Sequence, residues 1–280
     1  MCVHLVIVNH MLKASAGGTE QAEPLGRVAQ KRATRSDAIL ARASELVAAG
    51  GLEQLTLQRL GAAMGIVPAA LYRYFDSKDA LVAALQRRAV AVTHAAFSAS
   101  QAEVEPSLGK LAPEVAALAR LFAAARFYLD LPRTHPEPWL MVATLLGDPR
   151  PLVSDDESRQ TAPLLGAFLI DVRGLVDAAT SAGGLAKGDA TLRTMVLWAT
   201  LHGALVLAKA RRVAPELPTP MDVGLGGVHA LTLGWGASVD NVKRAARAAQ
   251  PSKSASPRAS PAKNGSTAKN DSSAKNKRTS

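Results

Sequence analysis

Apolar residues recur three and four positions apart along this chain, in segments ended by glycine or proline, and that pattern restricts the fold more than any other feature. Ile39, Ala43, Leu46 and Val47 form one such face, and Gly50-Gly51 then stops the segment as a first helix. Thr56 stands before Leu57, Leu60 and Met64, a capping residue ahead of a short apolar face that Gly65 ends. Pro68 suits the first turn of a third short helix, in which Leu71 and Phe75 sit four apart. Asp76-Ser77 caps a longer fourth helix over 77–99, carrying Leu81, Ala84, Leu85, Ala89 and Val92. Further helices are predicted at 107–130, 137–147, 157–182, 189–212 and 221–238. Their breaks fall at Pro132 and Pro136, Pro149 and Pro151, Gly183-Gly184, and Pro215, Pro218 and Pro220, while Pro163 offers a later start for the third of them.

No strand pattern competes, so an all-α fold of about nine helices is expected. The single cysteine, Cys2, excludes an intrachain disulfide and a cysteine-based zinc site, which fits a reducing, cytoplasmic setting. The apolar run Val3 to Val8 is short, holds His4 and lacks a basic flank, so neither secretion nor a membrane partner is expected; Met11 is an alternative start. Charge is unevenly spread: residues 24–90 carry net +5, 91–240 carry −3, and 241–280 carry ten Lys/Arg against Asp271 alone. A polyanion met at the two ends, with another task in the middle, follows from that distribution.

Four parts are expected: a flexible leader 1–30, a domain of short helices 31–78, a domain of longer helices 79–240, and a disordered basic tail 241–280. The tail reads equally as an arm on phosphates or as a solubilising segment.

A basic helix, a short helix, a tight glycine turn and a second short helix make the layout of a helix-turn-helix reader of DNA. The run Leu71-Tyr72-Arg73-Tyr74-Phe75-Asp76-Ser77-Lys78-Asp79-Ala80-Leu81 sharpens it, because three of the eleven aromatic residues fall within four positions. If 68–75 is helical, Leu71 and Phe75 point inward and leave Pro68, Ala69, Ala70 and Tyr72 on other faces. This text resembles the DNA-binding domain of the tetracycline-repressor (TetR) family. The match runs from about Arg35 to Leu85 through Leu55-Thr56-Leu57-Gln58-Arg59-Leu60-Gly61, Met64-Gly65-Ile66 and the aromatic run.

The resemblance implies that Gln58, Pro68, Ala69, Ala70 and Tyr74 approach base edges in the major groove, while Thr56, Tyr72 and Lys78 hold phosphates. Chemistry agrees, since a Gln amide pairs bidentately with adenine and a small Ala side chain meets a thymine methyl. Hydroxyl and ammonium groups serve phosphate without sequence preference. Thr56 also reads as a cap alone, Tyr74 as a packed ring and Gln58 as a solvated side chain. Arg35, with Arg27, Lys31 and Arg32, reads either as an arm on the DNA backbone or as part of a basic leader.

For the second half the resemblance implies a homodimer that binds double-stranded operator DNA and an unknown small-molecule effector. Trp198-Ala-Thr-Leu-His202-Gly203 resembles the subclass named for its Trp-His-Gly motif. Trp198 and His202 lie one turn apart, either beside an effector pocket or interface, or as a packed Trp and a hydrogen-bonded core histidine. Phe122, Phe127, Trp139 and Phe168 are further candidates for lining the pocket. Leu192, Met195, Val196, Leu201, Leu205 and Val206, with Val223, Leu225, Val228, Leu231 and Leu233, are assigned to a two-fold interface.

No P-loop, His-Glu-x-x-His or Glu-x-x-His pair occurs, so no catalytic residue, metal or cofactor is expected. The expected function is a sequence-specific transcriptional regulator, a repressor released from a palindromic operator by a small hydrophobic effector. The alternative is an architectural DNA binder that uses its basic tail.

Overall fold

The described residues of this computed structural model, 26–147 and 153–250, form ten α-helices and two short 3₁₀ turns, with no strand among them. The leader through residue 25, Pro149, Pro151 and the tail from residue 251 lie outside them.

Helix α1 (Arg27–Gly50) buries Ile39, Leu40, Ala43 and Val47 on one face. It begins within the expected leader, because the first three turns hold Arg, Lys, Gln and Ala, which favour helix without any apolar stripe. Helix α2 (Leu57–Met64) is capped by Thr56, whose Oγ1 accepts from Arg59 N at 3.1 Å. It is closed by Gly65 at φ +65°, with Gly65 N donating to Ala62 O (3.3 Å) and Ile66 N to Gly61 O (3.0 Å). Helix α3 (Pro68–Leu71) starts on Pro68 and loosens into a turn over 72–74. Ser77 caps α4 (Lys78–Leu108) by accepting from Ala80 N at 3.0 Å.

Helix α4 runs nine residues past the predicted end at 99. Pro106 lies in its last turn and the Glu105–Arg120 ion pair clamps that end to α5 (Pro113–Thr134). Helix α5 accordingly starts later than predicted, on Pro113, and runs through Pro132 to Thr134. Then follow α6 (Pro136–Gly147), α7 (Asp155–Ser181), α8 (Ala190–Leu207), α9 (Pro220–Gly234) and α10 (Val239–Ala248), with 3₁₀ turns at Leu52–Gln54 and Ala208–Arg212. Ser154 and three acids in the first turn start α7 at once, so it does not wait for Pro163.

Helix α10 corrects the expected tail. Residues 241–248 are helical because Ser238 caps them and Val242, Ala245 and Ala249 bury a stripe against α5, while Lys243, Arg244 and Arg247 face outward.

Two apolar cores organise the chain. One gathers α1, Leu55, Leu60, Leu71, Phe75 and the start of α4, and takes Met141 and Val142 from α6 as its floor. The other surrounds α5, which buries thirteen residues and is packed by α8, α9 and α10. Leu201 and Val228, assigned from the sequence to a two-fold interface, are instead buried in this second core.

Candidate nucleic-acid interface and effector cavity

The helix-turn-helix is held at three points. Gly61 is buried, and a Cβ there would stand 2.7 Å from Ile66 O, so only glycine lets the turn fold back on α2. Gly65 takes the left-handed conformation that ends α2 within one residue. Arg32 on α1 reaches across to donate to Arg73 O at 3.0 Å, tying the first helix to the end of the third.

Thr56, Gln58, Ala69, Tyr72 and Lys78 are exposed, as is Arg35 on α1, whereas Pro68 and Ala70 are half-buried beside Leu71. Tyr72 is 52% exposed. Tyr74 is half-buried and packs against the first core, so its ring serves the fold whatever its hydroxyl does. Thr56 is a cap, yet that uses one lone pair only and leaves its O–H to donate. The cation set Arg35, Arg59, Arg73 and Lys78 is exposed with Asp76 and Asp79 nearby in sequence.

Residues 39–85 match the family model for bacterial regulatory proteins of the tetR family. Solved structures with the TetR fold extend the likeness over the bundle. A TetR-family transcriptional regulator from Agrobacterium tumefaciens superposes with a TM-score of 0.52 at 19% identity, covering 73% of this chain and 98% of that one. The fatty acid degradation regulator FadR from Bacillus halodurans gives 0.51 at 13% identity, with 77% and 100% covered. A protein of unknown function from Rhodococcus sp. RHA1 gives 0.52 at 23% identity, with 77% and 99% covered. No curated protein matches the chain by sequence. The chain therefore has the fold of TetR-family regulators, with a tetR-type DNA-binding helix-turn-helix.

Within this TetR fold a cavity of about 200 Å³ opens among α4, α5, α6, α7 and α8. Phe127, Phe168 and Trp198 line it, whereas Phe122, Trp139 and His202 do not. Phe122 is in the second core, and Trp139 meets the Tyr128 ring edge-on at 5.6 Å. His202 stacks on Trp198 and its Nδ1 lies 3.0 Å from the Tyr128 hydroxyl, which accepts from Trp198 Nε1 at 3.0 Å. Trp198 can only donate, so Tyr128 accepts from it, and the His202 tautomer sets the direction of the Tyr128–His202 bond. Burial lowers the His202 pKa and raises that of Tyr128, which keeps both neutral at pH 7.

Tyr128 and Met195 line the cavity and were missed from the sequence. Met195, assigned there to a subunit interface, faces this space instead. Tyr128 had a signal, since it follows Phe127 and lies on the apolar face of the most buried helix. Among the described residues no cluster of three His, Cys, Asp or Glu stands ready for a metal.

Proposed function

We propose that this chain is a TetR-family transcriptional regulator that binds a palindromic operator as a homodimer, acts as a repressor and is released by a small hydrophobic effector. The observation that carries the reading is the exposed surface of α2 and α3 around Gln58 and Ala69, flanked by Thr56, Tyr72 and Lys78 and held by the Gly61–Gly65 turn. Base edges fall to Gln58, Pro68, Ala69, Ala70 and the Tyr74 hydroxyl, and phosphates to Arg35, Thr56, Tyr72 and Lys78.

Dimerisation is supported by the apolar side chains that α8 and α9 leave uncovered. Leu192 is 61% exposed and Val206 52%, with Val196 and Val223 also open. Ala190–Arg212 is long and apolar enough to cross a membrane by length and composition, but a two-fold helical interface covers the same side chains in a cytoplasmic DNA-binding protein. The Trp198–His202–Gly203 segment fits the Trp-His-Gly subclass.

The effector occupies the cavity, where Val90 and Phe97 bring α4 into its wall. Arg87 pairs with Glu157 at 2.8 Å and His94 with Asp171 at 2.6 Å, so α4 is bound to α7 on both sides of Val90. A ligand that separates those helices changes the angle at which α4 carries the helix-turn-helix, and release follows only from unequal affinity for the two arrangements.

Selection of bound duplexes from a random pool tests the reading. A palindrome with half-site centres one helical turn or a multiple of it apart is expected; recovery of unrelated sequences in proportion to the pool contradicts it and leaves an architectural binder.

A further inference from the structure

The cavity wall is unusual in what it withholds. No charged side chain lines it among the described residues. Two of its hydroxyl protons are committed to backbone carbonyls: Thr161 Oγ1 donates to Glu157 O (3.2 Å) and Thr194 Oγ1 to Ala190 O (2.8 Å). Tyr128 accepts from Trp198 and holds a second hydrogen bond with His202 Nδ1, so two of its three hydrogen-bonding positions are used inside the protein. Ser158 supplies the remaining hydroxyl. A carboxylate or phosphate entering here gives up its water and finds no cation among the described residues, and a polyol finds fewer partners than it had in water.

Shape adds to this. Phe97 meets Phe127 and Phe168 edge-on at 5.7 and 5.2 Å, so three rings crowd one side, with Tyr128 and Trp198 on the wall as well. Such walls offer both ring faces and ring edges, the two partners another ring prefers. Apolar protein cavities of about 150 Å³ take benzene, and this one, at about 200 Å³, has room for a few carbons more.

We propose that the cavity takes an uncharged aromatic hydrocarbon of one or two fused rings, and rejects fatty acids, acyl thioesters and other anionic amphiphiles. As an assignment of the effector's chemical class it rests on the reading of the cavity as the effector site; as a statement about binding it does not.

Toluene and benzoate differ by a methyl against a carboxylate and make the test. Calorimetry on the full chain, without DNA, is expected to show toluene and naphthalene binding at least a hundredfold more tightly than benzoate or octanoate, with methylcyclohexane a few-fold weaker than toluene. Ala162→Phe, which puts a ring into the cavity from the α7 wall, is expected to abolish toluene binding. Should that variant not fold, the ¹³C-methyl resonance of Met195 in the wild-type chain replaces it and is expected to shift with toluene but not with benzoate. Equal or tighter binding of benzoate or octanoate, binding of toluene unaffected by Ala162→Phe, or an unmoved Met195 resonance overturns the proposal. Toluene bound in the cavity with no change in affinity for the selected duplex leaves the ligand class standing and removes the effector reading.

Discussion

Replacing Gly61 by alanine tests the turn on which the DNA-reading surface depends. The new Cβ would stand 2.7 Å from Ile66 O and 3.4 Å from Pro68 N, both backbone atoms at the start of α3. Ordinary contact begins near 3.4 Å, so the Ile66 carbonyl must retreat by roughly 0.7 Å. That carbonyl cannot swing away alone, because Ile66 N is held by Gly61 O at 3.0 Å in the same turn. Overpacking of this kind costs about 1 to 3 kcal/mol, while alanine in place of glycine within a helix returns about 1 kcal/mol. The net loss is about 0 to 2 kcal/mol, a fall in Tm of no more than about 8 °C for a chain of this size. Binding suffers more, since a reading surface tolerates displacement of only about 0.5 Å. Gly61→Ala is therefore expected to keep its helical circular dichroism and lose at least tenfold in affinity for the selected duplex by fluorescence anisotropy. Affinity within twofold of wild type, with unchanged melting, refutes the claim that this close approach sets the position of α3.

Three further changes separate the remaining assignments. Tyr74→Phe keeps the packed ring and removes only the hydroxyl, and is expected to alter discrimination among operator variants, whereas Lys78→Ala weakens every duplex alike and lowers the salt slope by about 1; identical effects of both on all sequences contradict the division. Gln86 is 1% exposed on α4, and neither atom of its amide has a partner among the described residues. Gln86→Met is thus expected to raise stability by about 1 to 3 kcal/mol in urea unfolding, and a fall in stability would mean that the amide is satisfied. His202 has its pKa lowered by burial, so the unfolded chain takes up the proton first as pH falls. The stability it contributes is complete above the ordinary histidine pKa and declines as pH drops through it toward the folded value. His202→Gln should flatten the fall in Tm as pH drops below the ordinary histidine pKa, and an unchanged profile counts against a neutral His202 bonded to Tyr128.

The helix-turn-helix was legible because its signals are local. Thr56, Gly65, Pro68 and Ser77 each act within one turn of their own position, and all four terminate or start helices as their chemistry dictates. Signals that depend on partners distant in sequence were not legible. The start of α1 carries no stripe for periodicity to find, and α10 looks like a basic tail until Val242 and Ala245 are seen against α5. Pro132 reads as a break and Pro163 as a later helix start, yet both lie inside helices whose packing and caps outweigh one missing donor. In the bundle, aromatic type alone did not sort Phe127 and Phe168, on the cavity, from Phe122, in the core, because all three lie on apolar helix faces. Which face meets the cavity is decided by the way α4, α7 and α8 converge on α5, and a single helix does not encode that convergence.

Sequence-specific reading by this chain requires the outer surface of α2 and α3 to lie in the major groove. Site-specific photocrosslinking measures this directly, with a photoreactive amino acid placed at Ala69, at the exposed tip of α3, or at Val213, which is 90% exposed beyond α8. On the selected duplex, position 69 is expected to crosslink to bases within each half-site and position 213 to give none. Crosslinks from position 213 at equal yield, or from neither position in a complex that still forms, contradict the central claim.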